Sequence, residues 1–367
     1  MGDFSRAVAA SAVLACLAAC GDPLVVVGDA PGIVRIVAGQ AEVAGNELGS
    51  RATDSFVDMP RGVAVGADGV LYIADHRNSR LLAVEPSGAI EVLVDHSGRV
   101  EEPRLRRPDG IALDSAGGLL VADPSGYRVW RLDLPTGSFA PIAGTGTFGT
   151  APDTVDALTA NIDAPTGIAV APDGRVFFSE FGGQKVRTID ADGLLVTFAG
   201  NGLPQFAGDG GPALEASLKN PAGLAIAGAV LYIADFGNNR IRTVDLGTSV
   251  IETLTGAGGS GFRGDGGPAA EALLDRPYSL AIPGSLHTLF IADTGNHRVR
   301  VVNLETLIID TFAGTGDQSF RGDLLPAGET SLSGPRGLAV DPFNFLFIAD
   351  TEHHIVRRTP VGFLTAP

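Results

Sequence analysis

The stretch Pro60-Arg61-Gly62-Val63-Ala64-Val65 is the first of six variants of one phrase. It returns as Pro108-Asp109-Gly110-Ile111-Ala112-Leu113, Pro165-Thr166-Gly167-Ile168-Ala169-Val170, Pro221-Ala222-Gly223-Leu224-Ala225-Ile226, Pro277-Tyr278-Ser279-Leu280-Ala281-Ile282 and Pro335-Arg336-Gly337-Leu338-Ala339-Val340. Each is followed by a second apolar run that ends in an acid: Asp75, Asp123, Glu180, Asp235, Asp293 and Asp350, spaced 48, 57, 55, 58 and 57 residues apart. Self-similarity on that scale means an array of like modules. In four copies an arginine stands five residues after the acid (Arg80, Arg128, Arg240, Arg298) and opens a third run, such as Arg298-Val299-Arg300-Val301-Val302. A fourth run ends in Ala-Gly, as in Ile309-Asp310-Thr311-Phe312-Ala313-Gly314. Short runs of Val, Ile, Leu and Phe broken by Gly, Asp, Asn and Pro read as strands joined by tight turns. Four strands in each of six copies predict an all-β, six-bladed β-propeller with four antiparallel strands per blade.

Composition agrees. Of 367 residues 50 are Gly and 23 Pro, while 45% are hydrophobic, which excludes disorder and suits a many-turned β protein. The net charge of −16 offers no basic footprint for phosphate backbones, so nucleic acid is not an expected partner. Both cysteines, Cys16 and Cys20, lie near the start, leaving the repeats without a disulfide or a cysteine-based metal site.

The apolar run from Ala7 to Ala19 is too short to span a bilayer and fits the core of a secretory signal. It ends in Leu17-Ala18-Ala19-Cys20, which resembles a bacterial lipobox. The resemblance implies a signal peptide over 1–19, a lipidated Cys20 with a spacer over 20–30, and a lipid-anchored protein of the bacterial cell envelope; the repeats then give the propeller over 31–367.

The stretch Leu289-Phe290-Ile291-Ala292-Asp293-Thr294-Gly295-Asn296-His297-Arg298-Val299-Arg300 is similar to the signature of NHL-repeat proteins, and Asp235-Phe236-Gly237-Asn238-Asn239-Arg240-Ile241-Arg242 follows the same pattern. Copies three and six depart from it, with Lys185 and Ile355 where arginine is expected. The resemblance implies the propeller fold. It does not fix a function, because such propellers include scaffolds, binding modules and a few enzymes.

Ring closure follows from the strand count. Ile33-Val34-Arg35-Ile36-Val37-Ala38-Gly39 matches a fourth strand and the last copy supplies only three, so the N-terminal segment is expected to complete blade 6, with Gly362-Phe363-Leu364-Thr365 as a competitor. Three of the long loops before strand one carry Gly-Asp followed by Pro-Ala, around Asp209, Asp265 and Asp323. One acid per loop falls short of a calcium site, so turn-stabilising bonds from side chain to backbone are expected, with a helical turn over residues such as Ala213-Leu214-Glu215-Ala216-Ser217-Leu218. The acid after strand two is expected to pair with the arginine five residues on, and Asn78, Asn238 and Asn296 to take left-handed turn positions. His76, His297, His353 and His354 fall in the same turns and read as packing rather than metal ligands.

What differs between copies says more about function than what repeats. The middle residue of Pro-x-Gly is, in order, Arg61, Asp109, Thr166, Ala222, Tyr278 and Arg336. On the innermost strands of a closed ring, Arg336 and Arg61 become neighbours, flanked by Tyr278 and Asp109. These four are the expected ligand-binding residues at the channel mouth, suited to a small anionic or polar group through the forked guanidinium donors. No Gly-x-Ser-x-Gly elbow, His-Glu-x-x-His or phosphate-cradling loop occurs, so no catalytic residue, metal ligand or cofactor is assigned. The expected function is a non-enzymatic binding module that presents its channel face to a protein, peptide or glycan, attached to the membrane through Cys20. The alternative is a metal-dependent propeller hydrolase or lyase similar to gluconolactonase or streptogramin lyase, which would aim several metal ligands at the channel.

Overall fold

A computed structural model describes residues 32–96, 103–284 and 287–362. Cys20, the signal segment and Phe363–Thr365 lie outside the described residues. The six sheets run around one axis and each is a blade of four strands, extended in blades 3 and 5 by a two-residue strand of the incoming loop, Val155–Asp156 and Gly267–Pro268. Blade 1 comprises Pro60–Val65, Leu71–Asp75, Arg80–Val84 and Ile90–Asp95; blade 2, Ile111–Leu113, Gly118–Asp123, Arg128–Asp133 and Phe139–Ala143. Blade 3 holds Pro165–Val170, Val176–Glu180, Lys185–Ile189 and Leu194–Ala199, and blade 4 Pro221–Ala227, Val230–Asp235, Arg240–Asp245 and Ile251–Thr255. Blade 5 is built from Pro277–Ala281, Thr288–Asp293, Arg298–Asn303 and Ile308–Ala313. Blade 6 has Pro335–Val340, Phe345–Asp350 and Ile355–Pro360, and its fourth strand is Arg35–Ala38 from the other end of the chain. Arg35 opposes Arg358 and Ile36 opposes Arg357, so the N-terminal strand closes the ring.

Each blade is pressed between two others, which is why strand two is buried on both faces and reads as a continuous apolar run rather than an alternating one. Tyr72 and Leu81 of blade 1 pack on Leu119 and Trp130 of blade 2. At the seam, Ala38 joins Phe347 and Val356 of blade 6 against Val63 and Ile73 of blade 1. The long loops fold back over the outer strand of the blade they lead into. In blade 5 the loop carries a short 3-10 turn, Ala269–Glu271, and the matching residues Ala213–Glu215 of blade 4 form a simple turn instead of a helix.

The glycine of Pro-x-Gly has a specific reason. A Cβ on Gly62, Gly110, Gly167 or Gly223 would overlap the carbonyl oxygen of Asp109, Thr166, Ala222 or Tyr278, in each case the x residue of the next blade. Gly337 meets Arg61 in the same way and carries the pattern across the seam. The innermost strands therefore touch backbone to backbone, and Gly110 N–H donates to Thr166 O at 2.9 Å. Blade 5 alone has a side chain there: Ser279 uses its Oγ to accept Leu338 N–H of blade 6 at 3.3 Å.

Candidate ligand-binding site at the channel mouth

Crowding of the inner strands leaves a narrow axial opening of about 450 Å³, its open mouth included. Arg61, Asp109, Thr166, Tyr278 and Arg336 line it, so the four ligand-binding residues expected from the sequence do meet in one place. Ala222, the remaining x residue, is fully buried instead. One alternation further along the strands, Val63, Ile111, Ile168, Leu224, Leu280 and Leu338 form an aliphatic ring beneath the polar mouth.

The polar residues form a connected network. Arg61 Nη1 donates to Asp109 Oδ2 at 2.5 Å, and Tyr278 Oη donates to the same oxygen at 2.8 Å. The Arg336 guanidinium stacks on the Tyr278 ring with its Cζ 4.5 Å from the centroid. Thr166 Oγ1 turns to its own backbone, donating to Ala164 O. Burial opposes ionisation of Asp109, but the charges of Arg61, His76 and Arg336 and the Arg61 hydrogen bond outweigh it and hold the carboxyl below its usual range. Burial and the neighbouring Asp109 push the Tyr278 phenol up, so it stays a donor. Two guanidinium groups therefore face one carboxylate. Arg336 is the unmatched cation: no acid lies within ion-pair distance of it among the described residues, and its Nε is buried without a hydrogen-bond partner.

His76, expected from the sequence to be a packing histidine, sits behind this network. Its Nδ1 lies 2.9 Å from Pro108 O, so that nitrogen carries the proton. Burial and the Arg61 charge outweigh the pull of Asp109 and bring its pKa down to about 4.

The other repeated polar residues hold the scaffold. All six acids after strand two are fully buried, and each accepts a backbone N–H from the loop leading into strand one of its blade. Their expected partner five residues on is found in blade 1, where Arg80 Nε meets Asp75 Oδ2 at 2.7 Å. In blades 4 and 5 that expectation is corrected. The partner is the arginine seven residues on, Arg242 at 3.5 Å from Asp235 and Arg300 at 3.5 Å from Asp293, with Arg187 and Glu180, and Arg357 and Asp350, matching in blades 3 and 6. These arginines are fully buried and need a counter-charge, whereas Arg240 and Arg298 reach loop carbonyls near the surface. Asp209 and Asp265 of the Gly-Asp loops bind the far side of the same guanidinium groups, at 2.5 and 2.6 Å, and so act as ion-pair partners rather than only as turn caps. Asp323 instead accepts Ile36 N–H of the closing strand. Asn78, Asn238 and Asn296 are corrected too: each bridges the blade acid to a carbonyl of the long loop, and the left-handed residue is the following one, Ser79, Asn239 or His297.

The turn histidines are likewise engaged, His353 between Asp350 and Gln318 O, His354 with Met59 N–H and Asp58, His297 with Gly334 N–H. No group of three or more His, Cys, Asp or Glu residues among the described residues is arranged to hold a metal ion.

Known proteins share both the repeat and the ring. Residues 58–83, the first three strands of blade 1, match the NHL repeat model. The chain carries an NHL repeat. Human NHL repeat-containing protein 2 is 25% identical over 323 residues, covering 78% of this chain and 44% of that protein. The chain spans less than half the length of the first curated relatives it matches. Among solved structures, an auxiliary nutrient binding protein from Bacteroides thetaiotaomicron superposes with a TM-score of 0.67 at 14% identity, over 89% of this chain and 75% of that one. A virginiamycin B lyase from Staphylococcus aureus gives 0.51 at 15% identity, over 82% and 94%. At those identities the structures attest the propeller fold and nothing finer.

Proposed function

We propose that the chain is a non-enzymatic binding module, exported and tethered to an envelope membrane through a lipidated Cys20, that holds an anionic or polar group of a protein, peptide or glycan partner at the channel mouth. The observation that carries this reading is the Arg336 guanidinium, held over Tyr278 at the mouth with no acid of the described chain to match it. The nutrient-binding description of the Bacteroides structure is in keeping with a binding role. A tether suits the topology: Arg35 begins the closing strand at the end of blade 6 opposite the mouth, so an anchor joined there would leave the mouth facing away from the membrane.

The lyase-like alternative draws on the likeness to the virginiamycin B lyase. Against it stands Asp109, the mouth's acid, already committed to Arg61 and Tyr278. Affinity capture from a membrane fraction by the wild type and an Arg61→Ala/Arg336→Ala variant tests the site. The reading requires a partner retained by the first and lost by the second. A melting temperature that falls with chelator and recovers with a divalent ion would favour the alternative.

A further inference from the structure

Asp109 already displays how this mouth treats a carboxylate. Two donors from different blades converge on its one oxygen, Oδ2, a guanidinium from the preceding blade and a phenol from across the axis. Arg336 is the same residue type at the same position, one blade before Arg61. It too stands on an inner strand packed backbone to backbone against the next. The two arginines differ in the neighbour that the next blade supplies: Arg61 has the acid Asp109, whereas Arg336 has a second arginine, Arg61 itself. The Nε of each is buried with no hydrogen-bond partner, and the Arg336 guanidinium meets the network through the face of Tyr278.

Charge and shape narrow what fits. With Asp109 ionised, Tyr278 neutral and His76 uncharged near neutral pH, the mouth retains one positive charge above a ring of aliphatic side chains. A monoanion cancels it. A phosphate dianion would overshoot and bring its second charge against Asp109, above a floor whose side chains are aliphatic except for Ser279. A planar two-oxygen group also matches the guanidinium fork directly.

Resting on the reading that the mouth is the binding site, we propose that the group it recognises is the carboxylate of an organic monoacid, held by Arg336. A free small acid and the C-terminus of a peptide both carry such a group, and one titration series separates the two. The full chain is titrated calorimetrically at about pH 8, where inorganic phosphate is mainly a dianion, with butyrate, N-acetyl-Ala-Ala as acid and as amide, inorganic phosphate and sulfate, using wild type, Arg336→Gln and Arg336→Lys. At least one carboxylate is expected to bind about tenfold or more tightly than either inorganic anion, to lose at least about tenfold in Arg336→Gln and to recover part of it in Arg336→Lys. Binding of butyrate alone assigns a free acid; binding of the peptide acid but not its amide, above that of butyrate, assigns a chain terminus. Phosphate or sulfate binding as tightly as the carboxylates, carboxylate affinity unchanged in Arg336→Gln, or no carboxylate binding below about 10 mM overturns the proposal. A neutral partner captured by the wild type and lost in Arg61→Ala/Arg336→Ala would overturn the monoacid yet leave the binding site standing. A partner captured equally by both would remove the site reading itself.

Discussion

Tyr278 of blade 5 donates its hydroxyl to Asp109 of blade 2 at 2.8 Å, so a single hydrogen bond spans the axis between blades that face each other. That bond makes the mouth part of the scaffold as well as a surface. Tyr278→Phe should cost about 1.5–3 kcal/mol, the usual range for a bond to a charged acceptor, read by urea unfolding. Asp109→Ala should cost more, because it leaves the largely buried Arg61 guanidinium without its acid. Equal losses in the two variants would mean that Asp109 serves Tyr278 alone.

The collar of glycines predicts an asymmetry between blades. Gly167→Ala and Gly223→Ala place a methyl group against backbone atoms of the next blade, which no rotamer change relieves, and each should destabilise by about 1–3 kcal/mol. Ser279→Gly, which supplies the residue found in the other five blades, should still cost about 1 kcal/mol through the bond lost to Leu338 N–H. Thermal melts of the three variants decide it; a stabilised Ser279→Gly would show that blade 5 gains nothing from its side chain.

Repetition made much of this legible, because six imperfect copies separate what every blade needs from what one site needs. The uneven x residues could be placed at one mouth from the repeat alone. The bond across the axis could not, since sequence carries no channel diameter. The buried partner of the blade acids was misassigned in blades 4 and 5, where arginines stand both five and seven residues on. Copies three and six held the signal: they lack the nearer arginine and keep Arg187 and Arg357. Burial decides between the two positions, and a single strand's sequence does not state which of two same-face arginines lies deeper.

His76 should leave a mark on acid stability. Its folded pKa, about 4, lies below the ordinary 6.5, so between those values the unfolded chain holds the extra proton. Stability from this group is therefore present above 6.5 and lost as pH falls toward 4, by up to about 3 kcal/mol. His76→Gln, which can still donate to Pro108 O, should flatten that limb of the stability curve. The raised pKa of His353, where burial is outweighed by Asp350, acts in the opposite sense and at higher pH, so the two effects fall in different windows. An unchanged slope in His76→Gln would mean that His76 titrates alike in the folded and unfolded chains.

The closing strand carries the last test. Residues 35–38 contribute little buried area compared with the rest of the propeller, but they cover the edge of Ile355–Pro360 and seat Ala38 in the core between blades 6 and 1. Removing them leaves blade 6 with three strands and a bare row of N–H and C=O groups, the template on which sheets associate. A chain starting at Gly39 should therefore melt earlier and form concentration-dependent oligomers by light scattering. Adding the segment Gly32–Gly39 as a separate peptide should reverse both, because the register Arg35 with Arg358 and Ile36 with Arg357 is set by blade 6 and not by the chain's continuity. A shortened chain that stays monomeric with an unchanged melting temperature would show that another segment can take the outer position of blade 6.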